Sequence, residues 1–288
     1  MLKSKYDELQ TLVDPQLKAQ WESEQKLLKA QIIEANHVSE SPKVVAGVDI
    51  TFSMVKPDIA VCSVFILDAK KQVLGCVNSI NRIDVPYMPG FLAFREAEPL
   101  KRLIDKYIEK QRAENPEFGI DVIFVDGNGI LHPNHCGLAS HLGVLTGIPT
   151  IGCAKKIFAI DGLNRSLTDE IKLRFKEMKG KTGFEYLKGD SGRIWGAAVK
   201  NSPEAYDPLI VSIGHKVDID TAAQLTIDLS NSRVVEPVRL ADKQSRLLIG
   251  LFDKYHEENK AEQELSEMLS SFQKIIDDKY NKLQTLYI

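Results

Sequence analysis

A chain of 288 residues with 43% apolar and 27% charged residues is long enough to bury a full hydrophobic core and has the make-up of an ordinary globular protein. No run approaches the roughly 20 apolar residues needed to cross a bilayer, and the opening MLKSKYDELQ is too polar for the core of a signal peptide, so a soluble, cytoplasmic protein is expected. A formal net charge of -3 supplies no field that would draw in a polyanion, so any nucleic-acid binding has to come from a local basic surface or a bound metal.

Residues 1–36 carry Leu17, Trp21, Leu28 and Ile32 at helical spacing in a charged background, which predicts an amphipathic helical lead-in. Three β-branched-rich runs follow, VVAGVDITF (44–52), IAVCSVFIL (59–67) and QVLGCVNSI (72–80), separated by short polar segments as in an antiparallel meander. The period then changes. In GFLAFREAEPLKRLIDKYIEKQR (90–112), Pro99 suits a first helical turn, with Leu100, Leu103, Ile104 and Tyr107 as the buried face and Glu96 just ahead of the helix. DVIFVDG (121–127) is almost continuously apolar, the pattern of a strand buried on both faces, and it ends at Asp126 before Gly-Asn-Gly.

Beyond it, residues 136–147 read as a helix, 149–154 as a strand, and the Lys/Glu/Gly-rich stretch 161–190 as a looser insertion. Segments 186–200 and 207–215 read as two further strands, and 217–230 and 236–252 as helices. The last thirty residues keep Leu265, Leu269, Phe272, Ile276 and Leu283 at three-four spacing, either a coiled-coil seam or a face folded back on the domain. The chain therefore divides into a lead-in (1–36), a main α/β domain (37–254) and a C-terminal amphipathic helix (255–288). A three-strand meander followed by alternating helix and parallel strand predicts an α/β, ribonuclease H-like mixed sheet flanked by helices.

A carboxylate inside an apolar run is costly unless a cation or hydrogen bonds compensate it. Asp49 and Asp126 both stand in that position, although each alone also suits a strand end turning into a loop. If their strands are neighbours, the pair meets the need of Mg²⁺, a hard cation that takes one or two protein carboxylates and keeps several waters, with Mn²⁺ able to substitute. Glu96 and Asp242 are candidates for completing the cluster. The four cysteines, Cys62, Cys76, Cys136 and Cys153, form no CxxC pair and read as reduced thiols. A zinc site from His132, His135, Cys136 and His141 lacks two well-spaced ligand pairs, and nothing marks Cys136 as an activated nucleophile.

The segments VPYMPGFLAFRE (85–96), VDGNGILHP (125–133), GLASHLGVLTGIPTIGCAKK (137–156) and EPVRLAD (236–242) resemble, in order, the signature blocks of the endonuclease V family. GVD at 47–49 and GH at 214–215 accompany them, so the likeness runs from about residue 43 to 250. The resemblance implies that Asp49 and Asp126 bind the catalytic metal, that Glu96 and Asp242 complete the acidic cluster, and that Lys155 and His132 lie along the scissile backbone. It makes Tyr87, between Pro86 and Pro89, the wedge that fills the gap left by a displaced base, where composition alone suggests a buried turn tyrosine. It places Gly90, Leu92, Gly137 and Leu138 in the wall of a tight pocket for hypoxanthine. His215 would only support the sheet edge.

The family cuts at the second phosphodiester on the 3′ side of the deaminated purine, leaving 3′-hydroxyl and 5′-phosphate ends. VDGNGILH and the long C-terminal extension look like the animal form, which implies inosine in single-stranded RNA as substrate, deoxyinosine DNA as a second one, and nuclear or nucleolar sites beside the cytoplasm. The expected partner is that nucleic acid and no membrane, with a monomeric protein whose C-terminal helix offers a partner contact. Two alternatives share the acidic cluster: another ribonuclease H-like nuclease, which the PYMP wedge argues against, and an inosine-RNA binding protein that does not cleave.

Overall fold

A computed structural model of the chain describes residues 14–257 and 285–287. Its nine strands form one sheet in the order β6-β7-β8-β5-β4-β1-β2-β3-β9. The meander is as predicted: β1 (Val45–Phe52), β2 (Ile59–Leu67) and β3 (Val73–Arg82) pair antiparallel. β4 (Val122–Asp126) then pairs parallel with β1, and β5 (Thr150–Ala154) parallel with β4.

The parallel series stops there, against expectation. β6 (Gly183–Lys188), β7 (Ile194–Lys200) and β8 (Leu209–His215) follow one another without a helix, and β8 pairs antiparallel with β5. Short connections permit only antiparallel neighbours. What reads in sequence as one strand over 186–200 is a hairpin, turned at Asp190–Arg193 with Gly192 at φ +85°, a value natural to glycine.

Among the described residues six helices cover the sheet: α1 (Pro15–Lys29), α2 (Ala93–Glu114), α3 (Leu138–Thr146), α4 (Arg165–Glu177), α5 (Ile219–Asp228) and α6 (Glu236–Glu257). α1 begins where Asp14 caps it, its carboxylate accepting from Gln16 N at 2.9 Å, with Pro15 at the first helical position. α4 lies inside the stretch expected to be loose. Asn164 caps it by accepting from the amides of Ser166 and Leu167, and Ile171 and Phe175, one turn apart, bury its apolar face. A two-residue face within dense Lys and Glu gives little periodic signal.

α2 also departs from expectation. It starts at Ala93, so Pro99 sits in its interior and Glu96 in its first turn rather than ahead of it. Pro99 is buried and its ring still takes a helical φ; the cost is one missing N–H bond to the carbonyl of Arg95. The buried face of Leu100, Leu103, Ile104 and Tyr107 is as predicted.

β4 is buried on both faces, as its sequence implies. Val122 and Phe124 join the core beneath α5 and α6, while Ile123 and Val125 join the core beneath α2 and α3. α6 can lie close on β1 because Gly47 has no side chain: a Cβ there would meet the Pro237 carbonyl carbon at 2.1 Å. Most of the expected C-terminal helix falls outside the described residues. α6 itself continues to Glu257, and Thr285–Tyr287 form β9, a short parallel edge strand along β3 rather than helix.

Candidate active site

The parallel register of β1 and β4 places Val48 opposite Val125, so Asp49, inside β1, stands beside Asp126, the last residue of β4. α6 brings a third carboxylate. One oxygen from each of Asp49, Asp126 and Asp242 lies within 4.8 Å of the others, the only such metal-capable group among the described residues.

Each carboxylate is oriented by a neighbour. Asp49 is 8% exposed and accepts hydrogen bonds from Ser245 Oγ and, at 3.1 Å, from Thr51 Oγ1. Ser245 lies within 3.0 Å of the Asp242 carbonyl oxygen, which couples helix to strand. Arg246 Nε donates to Asp242 at 2.7 Å, and Lys155 Nζ stands 3.7 Å from Asp126.

Burial raises the Asp49 carboxyl to about 6; the Ser245 bond opposes this and the charges of Asp126 and Asp242 add to it. Glu96, half-buried in the first turn of α2, is raised to about 8 by burial, which the Arg95 charge opposes and the charges of Asp49 and Asp126 reinforce. Burial also raises Asp126, against the nearby charge of Lys155. Converging acids in a poorly solvated site hold protons or a cation, and this all-oxygen donor set suits a hard divalent ion. The residues present fit such an ion.

A cavity of about 410 Å³ opens against this cluster. Besides Asp49, Glu96 and Asp126, it is lined by His132 and by all four residues expected in a base pocket, Gly90, Leu92, Gly137 and Leu138. Gly90 has φ +84°, a conformation that L side chains rarely adopt. At Gly137 a Cβ would stand 2.3 Å from the Asn128 carbonyl oxygen, so close packing and pocket wall are the same fact. His132 is buried and its pKa falls to about 4, chiefly by desolvation. Its Nδ1 accepts from Asn134 N at 3.2 Å, which leaves Nε2–H as the donor of a neutral imidazole.

Three expected site residues lie outside the cavity lining. Asp242 belongs to the acidic cluster, Lys155 stands beside that cluster near Asp126, and Tyr87 is half-buried in the loop between β3 and α2. His215 accepts from Ile33 N at 3.2 Å through Nδ1 and ties the segment after α1 to the end of β8, a strand inside the sheet between β7 and β5. The zinc alternative does not assemble: His132 meets Phe158, His135 stacks on Trp195, and His141 meets Phe94. All four cysteines are free and buried, and burial pushes the Cys136 thiol up to about 12, the opposite of an activated nucleophile.

Sequence reasoning missed Thr51, Ser245, Arg246, Phe158 and Gln25. Ser245 and Arg246 stand three and four residues after Asp242 on one helix, a spacing that would have flagged them as its partners. Gln25 and Phe158 carry no local signal.

A mixed sheet with a meander and carboxylates converging from the adjacent strands β1 and β4 and from α6 defines a ribonuclease H-like nuclease. The family model for endonuclease V matches residues 26–243, and the chain belongs to that family. It is 35% identical to human endonuclease V over 234 residues, which cover 78% of this chain and 81% of that protein. It is 35% identical to the Bacillus subtilis endonuclease V over 244 residues, covering 81% and 94%. The crystal structure of the human endonuclease V catalytic domain aligns with a TM-score of 0.74 at 32% identity, over 82% of this chain and 97% of that one. Ciona intestinalis endonuclease V, solved with a 23mer DNA containing an inosine followed by a ribo-adenosine, aligns with a TM-score of 0.74 at 29% identity, over 83% and 99%. The protein is thus a nuclease with a three-aspartate group able to bind a metal ion.

Proposed function

We propose that the chain hydrolyses inosine-containing single-stranded RNA at the second phosphodiester 3′ to the inosine, leaving 3′-hydroxyl and 5′-phosphate ends, with deoxyinosine DNA as a secondary substrate. The observation that carries this reading is the juxtaposition of the Asp49, Asp126 and Asp242 cluster with a cavity walled by Gly90 and Gly137.

Mg²⁺, or Mn²⁺ in its place, held by Asp49 and Asp126 with Asp242 beside them, would supply Lewis acidity to a phosphate oxygen and make water a stronger acid. Ser245 and Thr51 hold Asp49 in one orientation so that little reorganisation is needed on binding. Glu96, facing the same cavity, places water and ions. Lys155, a compact point charge beside Asp126, stabilises negative charge developing on the scissile phosphate. His132 donates Nε2–H to the same backbone region.

Hypoxanthine differs from guanine only in lacking the 2-amino group, so a close wall of Gly90, Leu92, Gly137 and Leu138 is the element that rejects guanosine. Tyr87 fills the stack behind the displaced base, and flipping costs only a few kcal/mol, least in a single strand. The DNA bound by the Ciona relative, with an inosine followed by a ribo-adenosine, supports a preference for a ribose at that step, as do the animal-like VDGNGILH block and C-terminal extension. We also propose a monomer of three parts, 1–36, 37–254 and 255–288, working in the cytoplasm and in nuclear or nucleolar sites, whose C-terminal part offers a partner contact. Among the described residues no helix is long and apolar enough to cross a membrane.

The test compares matched RNA and DNA oligonucleotides carrying one inosine or one guanosine, with Mg²⁺, Mn²⁺ or EDTA. Inosine RNA should be nicked fastest, with no cutting in EDTA; equal cutting of the guanosine control would refute the pocket.

A further inference from the structure

We infer that Gln25, on α1, is a positioning residue that sets the spacing of the base-pocket walls. α1 is otherwise a surface helix, with Trp21 and Gln25 its only buried residues, and Gln25 is 2% exposed. A buried amide is costly unless every donor and acceptor is satisfied. Here both donors of the side chain and one lone pair of its oxygen go to the two loops that form the cavity. Nε2 donates to Cys136 O at 2.8 Å and to Gly90 O at 3.2 Å, while Oε1 accepts from Asn134 Nδ2 at 2.7 Å. Gly90 is itself a wall residue, and Cys136 precedes the wall residue Gly137.

The clamp is anchored from behind. One turn earlier on the helix, Trp21 stacks on Phe94 with ring centroids 5.0 Å apart and buries itself against Met88 and Phe91 of the loop that carries Gly90. The Gly137 wall is held on its own side by the bond from its amide to Gly129 O at 2.9 Å, and the Gln25 amide, bonded to both loops, ties that wall to the Gly90 wall across the cavity. Gln25 stands one residue ahead of the segment that the family model matches. The inference rests on the proposed inosine pocket and assigns to α1 a part in its selectivity.

The test measures kcat/KM on inosine and guanosine RNA for the wild type, Gln25→Leu and Gln25→Glu, with melting temperature as a folding control. Leucine keeps about the same volume and removes all three bonds. The inosine-to-guanosine ratio should fall about tenfold, the scale of a loosened pocket wall, through a higher KM on inosine and new cutting of guanosine. Glutamate, which turns an acceptor toward two carbonyls, should lower the ratio further. A merely structural role would lower both substrates together and leave the ratio in place. A ratio within about twofold of wild type in a folded variant overturns the inference, since pocket-wall changes act above that scale. If neither variant folds, the exposed Asn134→Ala, which removes only the bond to Oε1, should still lower the ratio, and an unchanged ratio overturns the inference equally. A wild type that cuts guanosine as fast as inosine fails the pocket reading itself and takes this inference with it; a selective wild type with an equally selective Gln25→Leu fails the inference alone.

Discussion

Asp49→Asn should make the cation-free protein more stable at neutral pH. The native Asp49 carboxyl is raised from 3.8 to about 6, chiefly by burial, so between those values the folded state binds more protons than the unfolded one. The contribution of Asp49 to stability is therefore most favourable at low pH and falls as pH rises through that window. At about 1.4 kcal/mol per unit, ionising Asp49 costs the folded state roughly 3 kcal/mol above pH ~7, about half of that at pH ~5, and almost nothing below pH ~4. Asparagine avoids this cost and can still accept from Ser245 and Thr51, although a neutral acceptor gives up roughly 1 kcal/mol of bond strength. A net gain of about 1–2 kcal/mol corresponds to a rise of roughly 2–8 °C in melting temperature for a domain of this size. The assay is thermal unfolding in EDTA from pH 4 to 8, repeated with Mg²⁺ at pH 7.5. The wild type should gain strongly from Mg²⁺ and the variant little. If the variant melts below the wild type in EDTA at pH 7.5, or the difference does not shrink toward pH 4, Asp49 is not a charge held at the fold's expense for a cation.

Asp126→Asn should reduce cleavage by about 10²-fold or more while leaving inosine RNA bound, because it removes a metal-holding carboxylate and leaves the Gly90 and Gly137 walls in place; an unchanged rate in single-turnover cleavage would take Asp126 out of the site. Tyr87→Ala should weaken RNA binding by about 1–3 kcal/mol, the worth of one base-aromatic stack, without altering Mg²⁺ affinity, and titration of each ligand separately would expose the reverse. Gly47→Ala should destabilise the protein by roughly 1–3 kcal/mol or more and lower activity with it, since its Cβ meets the Pro237 carbonyl carbon at 2.1 Å and would lift α6 off β1. A melting temperature equal to that of the wild type would show that α6 tolerates the shift.

The legible parts of this fold are those that local pattern dictates. The alternation and β-branching of 44–80 give the meander, and the unbroken apolar run ending at Asp126 gives a strand covered on both faces. Polarity of pairing was not legible beyond β5, because it depends on connection lengths whose turns, such as Asp190–Arg193, are hidden within what reads as one strand. Pro99 misled for a physical reason. A proline is favoured at a helix start but tolerated deeper where tertiary packing outweighs a single lost bond, and α2 buries Ala93 and Ala97 ahead of it. Asp49 and Asp126 were legible as carboxylates inside apolar runs, although only Asp126 ends its strand and Asp49 lies within β1. Their partners were not, since Ser245 reaches Asp49 across 196 residues and Gln25 reaches Cys136 across 111.

The same end of β4 serves both halves of the proposed chemistry, and glycine is the reason. After Asp126 the chain runs Gly127-Asn128-Gly129 and is wedged between β5 and β8: a Cβ at Gly129 would meet the Ile213 carbonyl oxygen at 1.8 Å, and one on Gly152 of β5 would meet Gly129 N at 2.6 Å. Gly129 N donates to Ser212 Oγ at 2.8 Å, which fixes the loop from the other side. Asn128 O then accepts from Ala139 N at 3.0 Å and lies where any side chain at Gly137 would stand. A residue chosen for its charge, Asp126, is thereby separated from a residue chosen for its lack of a side chain, Gly137, by a loop that cannot swell without moving both. Metal ligand and base wall are set by one rigid turn, so a substitution that enlarges the turn at Gly129 or Gly152 should impair cation binding and inosine selection together.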